Sequence, residues 1–216
     1  MSIEGLPQVF KINRDILLDV FWRLVSCVCV GYFIYGLLGA FVGDKTRVTL
    51  IAAIFSEVAT VVVSLLSRRP MKRDWSPPVV VATAYAGTLW LPLLTVTTVT
   101  HLLPETVSLG LQLLAALWVI NAKVTLGRSF GWLPANRGVV DNGVYRFIRH
   151  PIYFGYALGH LGFLLANFNL QNAAVLATVY VAQIYRILQE EKFLIQDPTY
   201  RAYAAKVPYR LIYGVF

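Results

Sequence analysis

The chain of 216 residues is 57% hydrophobic and only 14% charged, whereas soluble domains carry about a quarter charged residues. This composition excludes an ordinary soluble enzyme, and the lack of long polar tracts excludes a disordered protein. The formal net charge is +8, from 19 Lys and Arg against 11 Asp and Glu. In so apolar a chain, a basic excess points to the inner face of a membrane before it points to nucleic acid.

Six apolar stretches approach the length needed to cross a membrane as helices. In chain order they cover residues 16–42, 48–66, 78–99, 106–123, 153–168 and 172–188. The last two are short and contain polar residues, so they form either two full spans or a re-entrant helical hairpin. The predicted fold class is all-α: a polytopic membrane helix bundle with five to six transmembrane segments. No cleaved signal is expected, because the first stretch is too long for a signal-peptide core.

The positions of Lys and Arg predict the orientation of these spans. Of the 19 cationic residues, 16 lie in the N-terminal tail, the second and fourth connections, and the C-terminal end. Lys45 and Arg47 lie on the opposite side, and Arg23 lies in the opening turns of the first span. We therefore expect both termini to be cytoplasmic. The basic connection 67–78 is interpreted as a positive-inside signal, with binding of an anionic lipid head group as the alternative.

The connection 126–155 is the most informative stretch outside the spans. Its glycines permit sharp turns, and Asp141-Asn142-Gly143 predicts one of them. Pro151 predicts the first turn of a helix. Its N-terminus, flanked by Arg149 and His150, suits a carboxylate or a phosphate. The alternatives are a lipid-phosphate anchor for Arg149, a water-facing helix cap for His150, and interface aromatics for Tyr145 and Tyr153.

A pair of acids, Glu190 and Glu191, follows an apolar helix. Because an acid near a membrane boundary is unfavourable unless it is paired, we expect at least one of them to face a cavity beneath the 126–155 connection. An i,i+4 pair between Arg186 and Glu190 is the structural alternative. Glu57, in the middle of the second span, is either functional or a structural glutamate that is protonated or hydrogen-bonded, and for His160 helix packing is favoured. No spacing of His, Cys and acids resembles a metal site, and Cys27 and Cys29 are interpreted as small apolar residues.

The run GVYRFIRHPIYFG, from Gly143 to Gly155, is similar to the G-x-Y-x-x-x-R-H-P-x-Y-x-G signature of integral-membrane methyltransferases. Glu190 and Glu191 stand about 40 residues later, where that family has paired glutamates. The tail resembles the closing Y-x-x-Y and V-x-x-R patterns of the family at residues 200–203 and 207–210. The chain thus resembles the isoprenylcysteine carboxyl methyltransferases and related phospholipid methyltransferases over residues 115–210.

The resemblance implies transfer of a methyl group from S-adenosylmethionine to a lipophilic acceptor at the cytosolic membrane face. It divides the chain into N-terminal transmembrane helices, residues 1–104, and a methyltransferase core with the cofactor pocket, residues 105–216. The implied catalytic residues are Glu190, Glu191 and Arg149. The implied cofactor-binding residues are Tyr145, Arg149, His150, Tyr153, Gly155, Glu190, Glu191, Arg137 and Val140. Many relatives have histidine where this chain has Arg137, so contacts in that segment stay open.

The acceptor also stays open at this point: an isoprenylcysteine-like carboxylate, a phospholipid amine, a fatty acid, a quinone-like ring and a small thiol all fit. The expected partners are the lipophilic substrate and membrane lipids, without nucleic acid or an obligate protein partner. Steroid-reductase-like membrane oxidoreductases share a similar R-H-P-x-Y-x-G ending, so an NADPH-dependent oxidoreductase is one alternative. A small transporter or non-enzymatic membrane protein is the other.

Overall fold

A computed structural model describes residues 14–66, 90–127 and 139–216 of the chain. These ranges are helical and contain no β-strand beyond an isolated bridge between Thr100 and Phe168. The α-helices are α1 (Arg14–Gly43), α2 (Thr49–Leu66), α3 (Glu105–Leu126), α4 (Pro151–Ala166), α5 (Leu170–Leu194) and α6 (Pro198–Lys206). Two short 3-10 helices cover Leu91–Leu93 and Gly143–Arg146. The all-α class predicted from the sequence is confirmed for this part of the chain.

Helices α1 to α5 begin and end close to five of the six predicted apolar stretches. The largest difference is at α5, which continues past residue 188 to Leu194. Glu190 and Glu191 therefore lie inside a helix and not directly after one. Helix α6 follows after a short turn, and the side chain of Asp197 caps it by accepting a hydrogen bond from the backbone N–H of Thr199 at 2.7 Å.

The prediction of a helix over residues 78–99 is wrong for residues 90–99; the first part of that stretch lies outside the described residues. Here the chain makes one 3-10 turn, with Pro92 at its start, and then runs without helical hydrogen bonds. The backbone N–H and carbonyl of Thr95 bind instead to the side chain of Asn172 on α5. Its N–H donates to Asn172 Oδ1 at 3.0 Å, and its carbonyl accepts from Asn172 Nδ2 at 2.8 Å. This pairing replaces the helical ladder.

Two segments, Arg23–Gly43 and Glu105–Leu126, are long and apolar enough to cross a membrane. Only 22% of the first and 33% of the second is buried inside the protein. The outward side of α1 carries large apolar residues such as Val28, Tyr35 and Val42, each more than 70% exposed. Apolar surface turned outwards over such a length indicates association with a membrane.

Helix α4 packs closely on α3, and this contact fixes the start of α4. A Cβ atom at Gly155 would lie 2.4 Å from Val119 Cγ2 and 3.0 Å from Trp118 Cδ1. The indole Nε1 of Trp118 donates to the carbonyl of Pro151 at 2.8 Å. The absence of a side chain at Gly155 therefore lets the two helices approach, and the indole anchors the first turn of α4.

At the opposite end of the bundle, the guanidinium of Arg47 is buried between three parts of the chain. It donates from Nη1 to the carbonyl of Val96 and from Nη2 to Asn167 Oδ1, both at 2.6 Å. The amide of Asn172 also donates to the carbonyl of Asn167, at 2.7 Å. A cation that the sequence marks only as a residue on the outer side thus joins the α1–α2 connection to the α4–α5 turn.

Candidate functional site

The signature run begins at a turn that only glycine fits. Gly143 has φ +55°, and a Cβ there would lie 2.7 Å from Thr125 Oγ1. The turn predicted from Asp141-Asn142-Gly143 is therefore confirmed, and its conformation and its surroundings both select against a side chain. After the 3-10 helix Gly143–Arg146, the chain reaches Arg149 and His150 and then enters α4 at Pro151, as predicted.

The carboxylate of Glu191 is the centre of a buried polar cluster. Its Oε2 lies 2.9 Å from Arg149 Nη2, and its Oε1 lies 2.8 Å from His150 Nε2. The hydroxyl of Tyr200 on α6 donates to the same Oε1 at 2.6 Å. Arg210, in the tail, brings its Nε within 3.8 Å of Oε2. Both side chains of the Arg149–Glu191 pair are more than nine-tenths buried, so this is an internal ion pair and not a surface one.

The pKa of Glu191 lies below its ordinary value. Burial acts to raise it, but the hydrogen bonds from His150 and Tyr200 and the positive charge of Arg149 together outweigh burial. Glu191 therefore stays ionised at neutral pH. A carboxylate held in this form orients its cationic neighbours and is poorly suited to accept a proton.

The C-terminal tail lies directly against the signature. The backbone N–H groups of Arg149 and His150 donate to the carbonyls of Tyr209 and Arg210, at 3.0 and 2.8 Å. The guanidinium Nη1 of Arg149 also lies 3.3 Å from the carbonyls of Ala204 and Val207. The tail thus uses the N–H groups that precede α4 and surrounds the arginine, so the signature and the tail form one site.

Three tyrosines extend the cluster towards the 3-10 helix. Tyr145, Tyr200 and Tyr203 are all buried, and burial is the main cause that raises the pKa of each phenol. Their hydroxyls therefore stay protonated and act as hydrogen-bond donors. That of Tyr203 donates to the backbone carbonyl of Tyr145 at 2.8 Å, which joins α6 to the signature.

Glu190 occupies a different position from its neighbour. Its Oε2 accepts a hydrogen bond from the hydroxyl of Tyr153 at 3.0 Å. The ring of Tyr153 stacks on His150, with 5.5 Å between ring centroids, and the guanidinium of Arg186 lies 5.5 Å from the centre of the Tyr153 ring. The two glutamates therefore contact consecutive parts of the signature, Glu191 the R-H pair and Glu190 the following tyrosine.

The structure gathers six of the predicted site residues into this cluster: Tyr145, Arg149, His150, Tyr153, Glu190 and Glu191. The alternatives of a lipid anchor at Arg149 and a water-facing cap at His150 are wrong, because both side chains are buried against Glu191. Val140 packs near Tyr145 in the adjoining apolar cluster. Gly155 faces α3, and Arg137 lies outside the described residues.

Two contributors to the cluster received no role from the sequence, although both were visible in the tail motifs. Tyr200 is the first tyrosine of Y-x-x-Y, and Arg210 is the arginine of V-x-x-R. Their contacts with Glu191 explain why a sequence motif so far from the signature belongs to the same site.

The charges and aromatic rings of the cluster are compatible with S-adenosylmethionine. Arg149 Nε and Arg210 Nε are buried nitrogens without a hydrogen-bond partner in the described part of the chain, and such donors suit a carboxylate. Glu190 supplies a carboxylate for an ammonium group. The aromatic rings of Tyr145 and Tyr153 suit an adenine and a sulfonium cation.

Over the residues that the structure describes, these features define a helical protein of membrane type with a buried, charged site beside its apolar helices. Residues 108–196 match the sequence model of the Isoprenylcysteine carboxyl methyltransferase (ICMT) family. The chain is also similar to the Protein-S-isoprenylcysteine O-methyltransferase of Schizosaccharomyces pombe (strain 972 / ATCC 24843), with 30% identity over 115 residues. The match covers 48% of this chain and 48% of that relative, so the chain spans about half the length of the curated relative that it matches. Both findings confirm the family resemblance.

Proposed function

We propose that the chain is an S-adenosylmethionine-dependent integral-membrane methyltransferase that acts on a lipophilic, isoprenylcysteine-like acceptor. The observation that carries this proposal is the union of the family signature with both paired glutamates in one site. Arg149 and His150 contact Glu191, and Tyr153 contacts Glu190. The family match over residues 108–196 supports the same conclusion, because it covers both motifs.

The cofactor would supply an electrophilic methyl group on a sulfonium. In this proposal Tyr145, Tyr153 and Glu190 bind it, together with Arg149 Nε, which has no hydrogen-bond partner in the described part of the chain. Glu191 is a positioning residue, because its two oxygens contact Arg149 and His150 and its Oε1 is itself held by the hydroxyl of Tyr200. Rate enhancement then comes mainly from orientation of donor and acceptor in a site shielded from water.

The acceptor decides whether acid–base chemistry is needed. A carboxylate, as in an isoprenylcysteine-like substrate, is already anionic at neutral pH and requires no base. An amine would first have to lose a proton. Glu190 is the better placed of the two glutamates for that task, since Glu191 is engaged by Arg149 and His150 and its pKa is lowered.

The proposal includes an orientation and a division of the chain. Both termini are cytoplasmic, and the bundle has five to six spans, following the distribution of Lys and Arg. Residues 1–104 supply membrane helices, and residues 105–216 supply the cofactor site. The acceptor would enter sideways from the bilayer, because the cluster adjoins apolar helices at the start of α4.

Calorimetric binding of S-adenosylhomocysteine to the purified protein tests this function. We expect binding that is lost or strongly weakened in Arg149→Ala and Glu190→Ala. Arg149→Lys should also weaken it, since lysine lacks the planar fork that serves several acceptors at once. Arg201→Ala, on the exposed side of α6, is the matched control and should bind normally.

The absence of S-adenosylhomocysteine binding by a folded protein would overturn the proposal. A thermal-shift comparison with NADPH adds a second arm. Stabilisation by NADPH but not by S-adenosylhomocysteine would favour the oxidoreductase alternative. Normal binding by both Arg149→Ala and Glu190→Ala would place the cofactor elsewhere.

A further inference from the structure

A cavity lies among α2, α3, α4 and the segment Trp90–Leu94, with about 550 Å³ of empty space including its open mouth. Most of its lining is apolar, with Phe33, Leu91 and Phe163 among the contributors. Gly155 and Tyr156 line its side nearest the signature. Since an α-helix rises about 1.5 Å per residue, the cavity begins within a turn of α4 from Tyr153.

Polar side chains line the same cavity, among them Ser56 and Glu57 from α2, Gln112 from α3 and His160 from α4. Gln112 is only 6% exposed, and its Nε2 is buried without a hydrogen-bond partner among the described residues. His160 uses Nδ1 in a 2.6 Å hydrogen bond with the hydroxyl of Tyr180. The carboxyl group of Glu57 belongs to the same lining.

Buried polar groups without partners are unfavourable, and in native structures they mark a missing hydrogen-bonding partner. Gln112 offers an N–H donor, and Glu57 offers acceptor oxygens. A complementary group must therefore both accept and donate hydrogen bonds. The residues come from three different helices and line one cavity.

The apolar lining selects a neutral ligand group. Because most of the cavity wall is apolar, moving a charged ligand group from water into the cavity is unfavourable. An alcohol or an amide meets the conditions of neutrality, donation and acceptance, whereas a carboxylate or an ammonium does not.

We infer that this cavity is a specificity subsite that binds an alcohol or amide group carried on an otherwise apolar acceptor molecule. This inference rests on the proposed function, because it places the subsite beside the methyl-transfer site. It adds that the acceptor has a neutral hydrogen-bonding group set apart from the methylated atom. No covalent step occurs at Glu57, Gln112 or His160.

The test is a competition for photolabelling in lipid nanodiscs, without any methyl donor. The label is a dodecanol that carries a diazirine, and the competitors are 1-dodecanol and its methyl ether. Both competitors are compared at the same mole ratio to the bilayer lipid. We expect dodecanol to compete about five- to tenfold better than the ether, the worth of one buried hydrogen bond. Labelled peptides should contain residues that line the cavity.

Variants of the cavity residues test which side chains cause the preference for the alcohol over the ether. Glu57→Leu should reduce the advantage of the alcohol to less than about twofold, whereas Glu57→Gln, which still accepts a hydrogen bond, should keep most of it. Gln112→Leu should weaken competition by both compounds, because the oxygens of the alcohol and of the ether both accept a hydrogen bond from Gln112 Nε2. Thr178→Val, at an exposed position of α5, is the control and should behave as wild type. The wild-type comparison of alcohol with ether remains decisive where a leucine variant does not fold.

Equal competition by alcohol and ether, or labels only outside the cavity, would overturn the inference. So would an unchanged preference in a folded Glu57→Leu variant. The labelling experiment contains no methyl donor, so a negative result in it does not bear on the separate measurement of S-adenosylhomocysteine binding. A protein that binds the alcohol selectively but not S-adenosylhomocysteine would overturn the proposed function alone.

Discussion

Arg149 and Glu191 form an ion pair of 2.9 Å with both side chains more than nine-tenths buried. The arginine stands just before α4, and the glutamate stands in the last turns of α5. The pair therefore connects the signature to the helix that carries the paired glutamates. Tyr200 and Arg210 then bring α6 and the tail to the same carboxylate, so one acid organises four parts of the chain.

Replacing Glu191 should destabilise the protein much more than replacing Glu190. Glu191→Gln leaves the buried guanidinium of Arg149 without its counterion, and loss of one partner of a buried pair costs about 3–5 kcal/mol. Glu190→Gln keeps an oxygen that accepts from the hydroxyl of Tyr153 and only weakens one hydrogen bond, so it should cost at most about 1 kcal/mol. Denaturant unfolding of both variants in the same detergent measures the difference. Equal losses would mean that the Glu191 cluster contributes little to folding.

The same ion pair predicts a dependence of stability on acid pH. Because the pKa of Glu191 is lowered in the folded protein from an ordinary value of 4.5, its stabilisation is present above pH 4.5. That stabilisation is lost as pH falls through the folded-state pKa. The difference in unfolding free energy between wild type and Glu191→Gln should therefore shrink as pH falls below 4.5.

Unfolding of both proteins between pH 7 and pH 3 measures this difference directly. Other carboxyl groups, such as Asp44 in the α1–α2 connection, are present in both proteins and cancel in the comparison. A difference that stays constant down to pH 3 would contradict the assignment of Glu191 as the ionised centre of the cluster.

Packing of α4 on α3 gives a steric prediction. Gly155→Ala would place a Cβ 2.4 Å from Val119 Cγ2, and overpacking of this kind typically costs about 1–3 kcal/mol. Gly159→Ala is the matched control, because its nearest contact is Ala115 Cβ at 3.4 Å. Thermal unfolding should separate the two. Val119→Ala should restore part of the loss in Gly155→Ala, and no rescue would argue that the close approach lies elsewhere.

Most helices were predictable because apolar length alone places them. The segment 90–99 was not, because the atoms that satisfy its backbone belong to Asn172, which is 77 residues away from Thr95. Hydropathy carries no information about such a tertiary contact. For the same reason the extension of α5 to Leu194 was missed: its last turns are stabilised by the polar cluster around Glu191 and not by apolar length.

The site was predictable as a set of residues but not as an arrangement. The signature placed Arg149 and His150 at a helix start, and the sequence left their partners open. The structure provides Glu191 as the partner of both. Gly155 was expected to permit close approach of a cofactor; in the structure its neighbours are Val119 and Trp118 of α3. A sequence shows that a position requires glycine more readily than it shows which atoms approach it.

Arg47 provides a prediction far from the proposed cofactor site. Arg47→Met should destabilise the protein by about 1–3 kcal/mol, because the carbonyl of Val96 and the amide oxygen of Asn167 lose their charged donor in a buried setting. Arg47→Lys should recover only part of this, since one ammonium does not reproduce a planar fork to two acceptors. Lys45→Met, at an exposed position of the same connection, is the control. Unfolding measurements should show that stability falls from wild type to Arg47→Lys and further to Arg47→Met. The affinity of the folded Arg47→Lys variant for S-adenosylhomocysteine should match that of wild type. A marked loss of affinity in that variant would mean that the two ends of the bundle are coupled, contrary to a purely structural role for Arg47.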